Sequence, residues 1–136
     1  MVKLLNDLGV DFTRTEHIHY KFESPGLMDL IVETWKEGEW IHVSVAHYYL
    51  QEGDLMADPE IEFRIIQFAD FNGKPRREIQ PIHYQQDGLG VYQEAMTVEQ
   101  NGQILIRPRL QREIKNFLGM WANNIKQQGY KLKQVS

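Results

Sequence analysis

Residues 39–65, EWIHVSVAHYYLQEGDLMADPEIEFRI, carry the strongest fold signal in the chain. Apolar and polar side chains alternate from Glu39 to Tyr49 and again over residues 61–65. A period of two is typical of a half-buried β-strand, because successive side chains point to opposite faces of a sheet. The segment between holds a glycine, a proline and several carboxylates, so we predict a functional loop at residues 50–58 joining two strands.

The same signals extend to both sides of this stretch. Tight turns are indicated at Ser24-Pro25-Gly26, Glu37-Gly38, Asn72-Gly73 and Asn101-Gly102. Pro81 favours a sheet edge for the strand that contains it, since proline cannot donate a ladder hydrogen bond. We predict a short helix over residues 2–8, before the first of these turns. The turns are flanked by predicted strands over residues 17–23, 27–36, 77–86, 91–98 and 104–106.

The last predicted element is a long amphipathic helix. Pro108 suits its first turn, where the missing N–H group costs nothing, and Gly129 suits its end. Its apolar residues recur at three- and four-residue steps and form one stripe, which we expect to pack on the sheet: Leu110, Ile114, Phe117, Leu118, Trp121 and Ile125.

Consecutive strands with helices only near the ends indicate an α+β fold. We predict a single domain over residues 1–136, built on a mainly antiparallel, meandering sheet of about six strands. A short N-terminal helix and a long C-terminal helix pack against this sheet. The length of 136 residues fits one domain with a sizeable core.

The composition excludes several classes of protein. The chain has no cysteine, which removes disulfides, thiolate zinc sites and cysteine nucleophiles. No apolar run approaches the ~20 residues needed to cross a bilayer, and the N-terminal sequence lacks the apolar core of a signal peptide. We therefore expect a cytoplasmic protein that does not enter a membrane.

Charge is distributed unevenly along the chain. Residues 1–106 carry 8 Lys/Arg against 18 Asp/Glu, a balance of −10, whereas residues 107–136 carry 7 against 1, a balance of +6. The basic segment has two interpretations: a surface for nucleic acid or another acidic partner, or a helix lying near its own acidic sheet. We favour the second, and keep Arg109 and Arg112 as candidate binding residues.

Common catalytic and cofactor motifs are missing. No phosphate-binding loop is present, and Gly88-Leu89-Gly90 lacks the third glycine and the helix of a dinucleotide fingerprint. None of the three serines lies in a nucleophile elbow. We therefore expect no cofactor.

A metal site has only weak support. His17 and His19 share one face of a predicted strand, where two imidazoles and a carboxylate could hold zinc. No third ligand has an identifying spacing, so we favour a solvated strand face with two incidental histidines.

His47 is the most interesting candidate residue. Continued alternation places it on the core face, at the end of its strand, where Asp54 or Asp58 could pair with it and raise its affinity for protons. The arrangement would suit a general base, but a buried histidine that fixes a loop is the interpretation we favour.

The acidic residues beside His47 have two interpretations as well. Five carboxylates offer oxygen ligands for Ca²⁺ or Mg²⁺, or a pair that divides acid and base roles, although their spacing is not that of an EF-hand: Glu52, Asp54, Asp58, Glu60 and Glu62. Glu60 and Glu62 fall on the polar face of their strand, where carboxylates need no special explanation. Asp54 and Asp58 equally suit turns, which we favour. Tyr48 and Tyr49 point to opposite faces, so one of them presents an aromatic surface next to these carboxylates. His47, Tyr49, Glu52, Asp54 and Asp58 are thus the candidate binding residues of this region.

Residues 47–60, HYYLQEGDLMADPE, resemble a family of small uncharacterised bacterial proteins carried on plasmids, phages and integrative elements. The resemblance extends to residues 26–33, GLMDLIVE, and to residues 120–130, MWANNIKQQGY. It implies a bacterial mobile-element setting, often near conjugation or anti-restriction genes, and it transfers no functional residues.

Two functional hypotheses follow. The first is a non-enzymatic accessory protein of a mobile element that binds a protein, or nucleic acid, through residues 50–58 and the exposed face of the last helix. The rival is a small hydrolase or metal-dependent enzyme that uses His47 with Asp54 or Asp58. Exposed strand edges also allow a homodimer.

Overall fold

The alternating segments fold as long antiparallel strands. The protein is described by a computed structural model covering residues 1–136. In chain order its elements are α1 (Val2–Asp7), β1 (Ile18–Glu23), β2 (Leu30–Glu37), β3 (Trp40–Gln51), β4 (Asp54–Ala69), β5 (Pro75–Gln86), a 3₁₀ turn (Asp87–Leu89), β6 (Val91–Glu94), β7 (Met96–Val98), β8 (Ile104–Ile106), α2 (Pro108–Gln128) and β9 (Lys131–Val135).

Seven strands form one sheet in the order β6-β5-β4-β3-β2-β1-β9, and β7 and β8 pair separately. Strands adjacent in the sequence are adjacent in the sheet, except that the chain returns through α2 to place β9 beside β1. The predicted α+β class, antiparallel meander and two helices are confirmed. The predicted number of strands is wrong, because the sheet has seven.

Two differences from the predicted strands have simple physical reasons. Strand β9 was not predicted, because all five of its residues are exposed and it therefore lacks an apolar pattern. The strand predicted over residues 91–98 is divided at Ala95, whose N–H donates to the carbonyl of Ile82, so β6 and β7 belong to different sheets. Pro81 lies where β5 has only β4 as a neighbour, in line with the edge position expected.

One face of the large sheet, the core face, is covered by α2. The helix contributes the predicted stripe, with Ile114, Leu118, Trp121 and Ile125 buried. From the strands, the core face contributes side chains that alternate with polar ones, among them Phe22, Leu30, Val32, Val43, Val45, Ile61 and Phe63. The apolar alternation therefore fixes which side of the sheet receives the helix.

The predicted loop at residues 50–58 is wrong. Strand β3 continues to Gln51 and β4 begins at Asp54, so only Glu52 and Gly53 connect them. Both have positive φ, 52° and 86°, which is the requirement of a type I′ turn. Glutamate is not a usual residue at the first position of that turn, and the hairpin was therefore missed.

A β-bulge interrupts the β3–β4 ladder next to this hairpin. Ala46 is paired with Glu60 and Tyr48 with Ala57, so His47 lies opposite two residues, Asp58 and Pro59, which are joined by a cis peptide bond. The bulge explains how a proline fits inside a 16-residue strand, since ladder bonding is locally interrupted there.

Truncation of the helix stripe tests the assignment of the core. Leu118 is buried against the sheet, and we expect Leu118→Ala to lower the free energy of unfolding by about 2–5 kcal/mol through lost burial and a cavity. Urea denaturation measures the change. Met120→Ala, on the same helix but 55% exposed, is the matched control and should change it far less. Equal losses in the two variants would contradict the packing described.

The left-handed conformation of Glu52 generates a second prediction. Asparagine adopts positive φ more readily than glutamate, so Glu52→Asn should raise the free energy of unfolding by on the order of 1 kcal/mol. Thermal and urea unfolding measure the gain. Glu99→Asn, at an exposed position without positive φ, is the control, and a destabilised Glu52→Asn protein would rule out the turn geometry.

Candidate functional site

The face of the sheet opposite α2, here called the polar face, carries a continuous row of polar side chains. Directly paired residues share a face, and six of them follow one another across β1 to β6. This polar row is His19, Glu33, Ser44, Glu62, His83 and Glu94. The alternation that builds the core therefore also collects ionisable groups on the other side of the sheet.

Glu62 lies at the centre of a chain of imidazoles and carboxylates. Its Oε1 is 3.3 Å from Nδ1 of His42, and its Oε2 is 3.2 Å from Nδ1 of His83. The second nitrogen of each ring also faces a carboxylate, Glu37 at 3.5 Å from His42 and Glu60 at 3.5 Å from His83. We call these five residues the histidine–glutamate chain.

The surroundings of this chain shift two pKa values in opposite directions. Burial alone raises the pKa of Glu62, but the rings of His42 and His83 outweigh it and bring that pKa down to about 2. Burial lowers the pKa of His83, whereas the carboxylates of Glu60 and Glu62 raise it to about 9. At neutral pH, Glu62 is therefore a carboxylate and His83 an imidazolium.

Aromatic rings extend the histidine–glutamate chain towards both edges of the sheet. The ring of Trp35 lies between those of His17 and His42, with centroid distances of 5.4 and 5.5 Å. At the other end, the rings of His83 and Tyr92 are 5.6 Å apart. The polar face thus combines charged groups with aromatic rings.

The β3–β4 hairpin extends past its neighbours at one end of the polar face. Pairing with β2 ends at Ala46 and pairing with β5 begins at Glu60, so residues 48–57, here called the arm, project as two strands. Leu50 and Leu55 face each other across the arm and are 73% and 63% exposed.

A concavity of about 490 Å³ lies between the arm and the polar face. Its apolar side chains are Ile31, Tyr48 and Leu55, and its charged ones include Asp29 and Glu33. Burial, followed by the charges of Glu60 and Glu33, raises the pKa of the Tyr48 hydroxyl, which is neutral at physiological pH. The concavity therefore offers acidic groups beside exposed apolar surface.

His47 occupies the core face, where the alternation predicts it. Its Nδ1 lies 2.9 Å from the carbonyl oxygen of Asp29, which can only accept, so Nδ1–H donates. Its ring packs against Trp121 and Tyr130, with centroids 5.5 and 6.0 Å away. This geometry agrees with the favoured interpretation of a buried histidine. His47 is hydrogen-bonded, and it connects β3 to the chain before β2.

The acidic candidates of the sequence do not converge on His47. Glu52 and Asp54 lie at the exposed tip of the arm. Asp58 accepts a hydrogen bond from the side-chain amide of Gln86, at 3.1 Å. No hydrogen bond joins His47 to Asp54 or Asp58. Tyr49 lies on the core-face side of the arm with its hydroxyl against Gly88, where an added Cβ would come within 3.0 Å.

Arg109 and Arg112 lie on the exposed side of α2, across the sheet from the polar face. Arg109 pairs with Glu113 on the same helix, at 3.4 Å. The favoured interpretation, a basic helix lying near its own acidic sheet, is met by one ion pair, Lys115 with Glu78 at 3.4 Å. Lys133, which lies in β9 and not in the helix, pairs with Glu23 at 2.9 Å. The histidine–glutamate chain receives no cation from this segment.

Two further features bear on the classes of function. No group of three or more His, Asp or Glu side chains has the arrangement of a metal site, and His17 is instead 3.4 Å from Glu33. Neither helix combines the length and the apolar character needed to cross a bilayer.

Sequence reasoning missed the histidine–glutamate chain, although part of its signal was visible. Alternation places Glu60 and Glu62 on the polar side of their strand, and His42 on the polar side of the preceding one. The meeting of Glu62 with both His42 and His83 depends on the register between three strands, which the bulges of β4 and β5 determine.

A family model described as a domain of unknown function, DUF6908, matches residues 2–131. The match therefore spans α1 to the first residue of β9. No curated protein and no solved structure matches the chain.

The raised pKa of His83 predicts a pH-dependent stability. The folded value is about 9 against an ordinary 6.5, so the stabilisation is complete below about pH 6.5 and is lost as the pH rises through 9. We expect wild type to lose on the order of 1–2 kcal/mol over this range, after allowance for solvent screening. His83→Gln should lose much less.

Urea unfolding at several pH values between 6 and 10 measures this difference. His17→Gln, with an exposed ring, is the control and should keep the wild-type profile. If His83→Gln and wild type lose the same free energy of unfolding between pH 6.5 and 9, the protonation of His83 is not the source of the pH dependence.

Proposed function

Because this chain belongs to the DUF6908 family, whose description assigns no activity, we propose a function from its own surfaces. The protein is a non-enzymatic interaction protein whose polar face and arm bind a basic segment of another protein. We further propose that it is an accessory protein of a bacterial mobile element and acts in the cytoplasm. The resemblance of residues 47–60 supports the first point, and the absence of cysteine supports the second.

The observation that carries the proposal is the exposed leucine pair of the arm. Leu50 and Leu55 are not covered by any other part of the chain, yet they stand side by side at the edge of the concavity. Their contact across the hairpin stabilises it only slightly, because both side chains stay largely in water. Contiguous exposed apolar surface bordered by polar groups is typical of a protein-binding site.

Charge indicates the chemistry of the partner. Around the concavity, the histidine–glutamate chain and the arm tip, the basic groups are Lys21, Arg64 and the imidazolium of His83, and beyond them Lys133 of β9 is paired with Glu23. Against these cations stand eight acidic residues: Asp29, Glu33, Glu37, Glu52, Asp54, Glu60, Glu62 and Glu94. Lys21 is already 3.4 Å from Asp29, and Arg64 stacks over the ring of Trp40. A basic protein segment complements this field, whereas nucleic acid would be repelled from it.

The alternative, a small hydrolase or metal-dependent enzyme using His47 with Asp54 or Asp58, has no comparable support. His47 is 8% exposed and its Nδ1–H donates to a backbone carbonyl. A homodimer through the outer edges of β6 and β9 is compatible with the proposal, since edge pairing uses backbone groups and leaves the side chains of the polar face free.

Leu55→Ser tests the proposed surface. The side chain is exposed, so the variant should unfold at nearly the wild-type temperature while losing most of its partner binding. The measurement is capture from nuclease-treated bacterial lysate, followed by titration of the captured protein and of a peptide carrying its basic segment. Glu33→Gln should weaken the same binding and steepen its loss with added salt.

Phe71→Ser is the matched control. Phe71 is 98% exposed at the opposite end of β4, so it undergoes the same change in chemistry away from the arm. A captured protein that binds wild type, Leu55→Ser and Phe71→Ser equally would overturn the proposal. So would binding that disappears on nuclease treatment, because the polar face would then not be the contact surface.

A further inference from the structure

Most of the outward side of α2 is uncovered, and towards its end Asn123 and Lys126 border a concavity shared with α1, where Asp7 is the acidic residue. At 3.6 residues per turn, five exposed residues fall within about a quarter of the helix circumference, opposite the buried stripe. We call them the outward line: Arg112, Asn116, Gly119, Asn123 and Lys126. None is acidic, and the helix contains a single carboxylate, Glu113, already paired with Arg109.

The two ends of the outward line are free cations. Arg112 and Lys126 form no ion pair within the chain, whereas Arg109 and Lys115 beside them have partners in Glu113 and Glu78. The two free charges are 14 residues apart, or about 21 Å along the helix axis. Exposed cations spaced along one face of a helix complement the phosphates of nucleic acid.

The middle of the outward line is a glycine, Gly119, that the packing of the fold does not require. Gly119 lies in the centre of a 21-residue helix, where glycine is less favourable than almost any other residue. A Cβ at this position would meet nothing within 4 Å, so no contact inside the protein requires its absence. The missing side chain exposes helix backbone between Asn116 and Asn123 and lets another molecule approach closely.

We propose that the outward line of α2 enters the major groove of duplex DNA. Arg112 and Lys126 contact phosphates, and the amides of Asn116 and Asn123 reach base edges, where asparagine pairs with adenine. The B-form groove, ~12 Å wide, admits a helix, and the ~21 Å between the cations lets both ends reach the flanking backbones. The narrow major groove of A-form RNA excludes the helix.

This surface is independent of the polar face. The two lie on opposite sides of the sheet, and the acidic side would orient the protein with α2 towards DNA. A protein that uses both would hold a basic partner on one side and DNA on the other. Leu55→Ser, which removes the arm contact, should therefore leave DNA binding unchanged.

Fluorescence anisotropy with a labelled 20-base-pair, A·T-rich duplex tests the proposal, starting at 50 mM NaCl. We expect Arg112→Gln and Lys126→Gln each to weaken binding several-fold and to reduce the slope of log affinity against log salt by about 0.9. Lys74→Gln, which removes the same charge from the β4–β5 turn, is the matched control and should bind like wild type.

Gly119→Leu separates binding from folding. Leucine favours the helix and finds open space, so the melting temperature should rise. Its side chain fills the opening, and we expect at least a tenfold loss of affinity for the duplex. Failure of wild type to bind at 50 mM NaCl would overturn the proposal. So would unchanged binding by Gly119→Leu, or equal affinity for heparin and for the duplex, which would indicate a general anion surface.

Discussion

The register of β3 against β4 is the constraint on which the other features depend. Val45 opposite Ile61 and Val43 opposite Phe63 bring apolar side chains to the core face, and the same pairing brings Ser44 opposite Glu62 on the polar face. A slip of one residue would exchange the two faces of β4 and expose its apolar side chains. Burial under α2 therefore selects the register that also assembles the histidine–glutamate chain.

The bulge at His47 adds a second consequence. It places Asp58 and Pro59 opposite a single residue and interrupts the pairing just before the arm, where pairing resumes at Tyr48 and Ala57. On the core face His47 can then donate to the carbonyl of Asp29, which holds the base of the arm to the chain before β2. The base of the projecting arm is thus held to the chain before β2 by a part-buried hydrogen bond.

Local patterns were sufficient to predict the core and insufficient to predict the site. Periods of two and 3.6 residues correctly indicated the strands, the α2 stripe and the core-face position of His47. They failed at Glu52, where the chain makes a tight type I′ turn with an unusual residue, and at β9, which has no buried side chain. They also could not indicate the contacts of Glu62, because its partners His42 and His83 lie 20 and 21 residues away in the sequence and meet it only through sheet register.

Three features at the surface share a physical character. Glu52 adopts a backbone conformation that glutamate disfavours, Gly119 weakens a helix without relieving any clash, and the histidine–glutamate chain holds charges in a half-buried site that apolar residues could fill. The stability of the fold explains neither Glu52 nor Gly119, and the histidine–glutamate chain stabilises the fold only while His83 keeps its proton. Sequences usually depart from local structural preference where a site is under functional constraint. These departures lie on the arm, on α2 and on the polar face. Charge and exposure indicate the same three surfaces as binding surfaces, and at these surfaces stability is not the governing requirement.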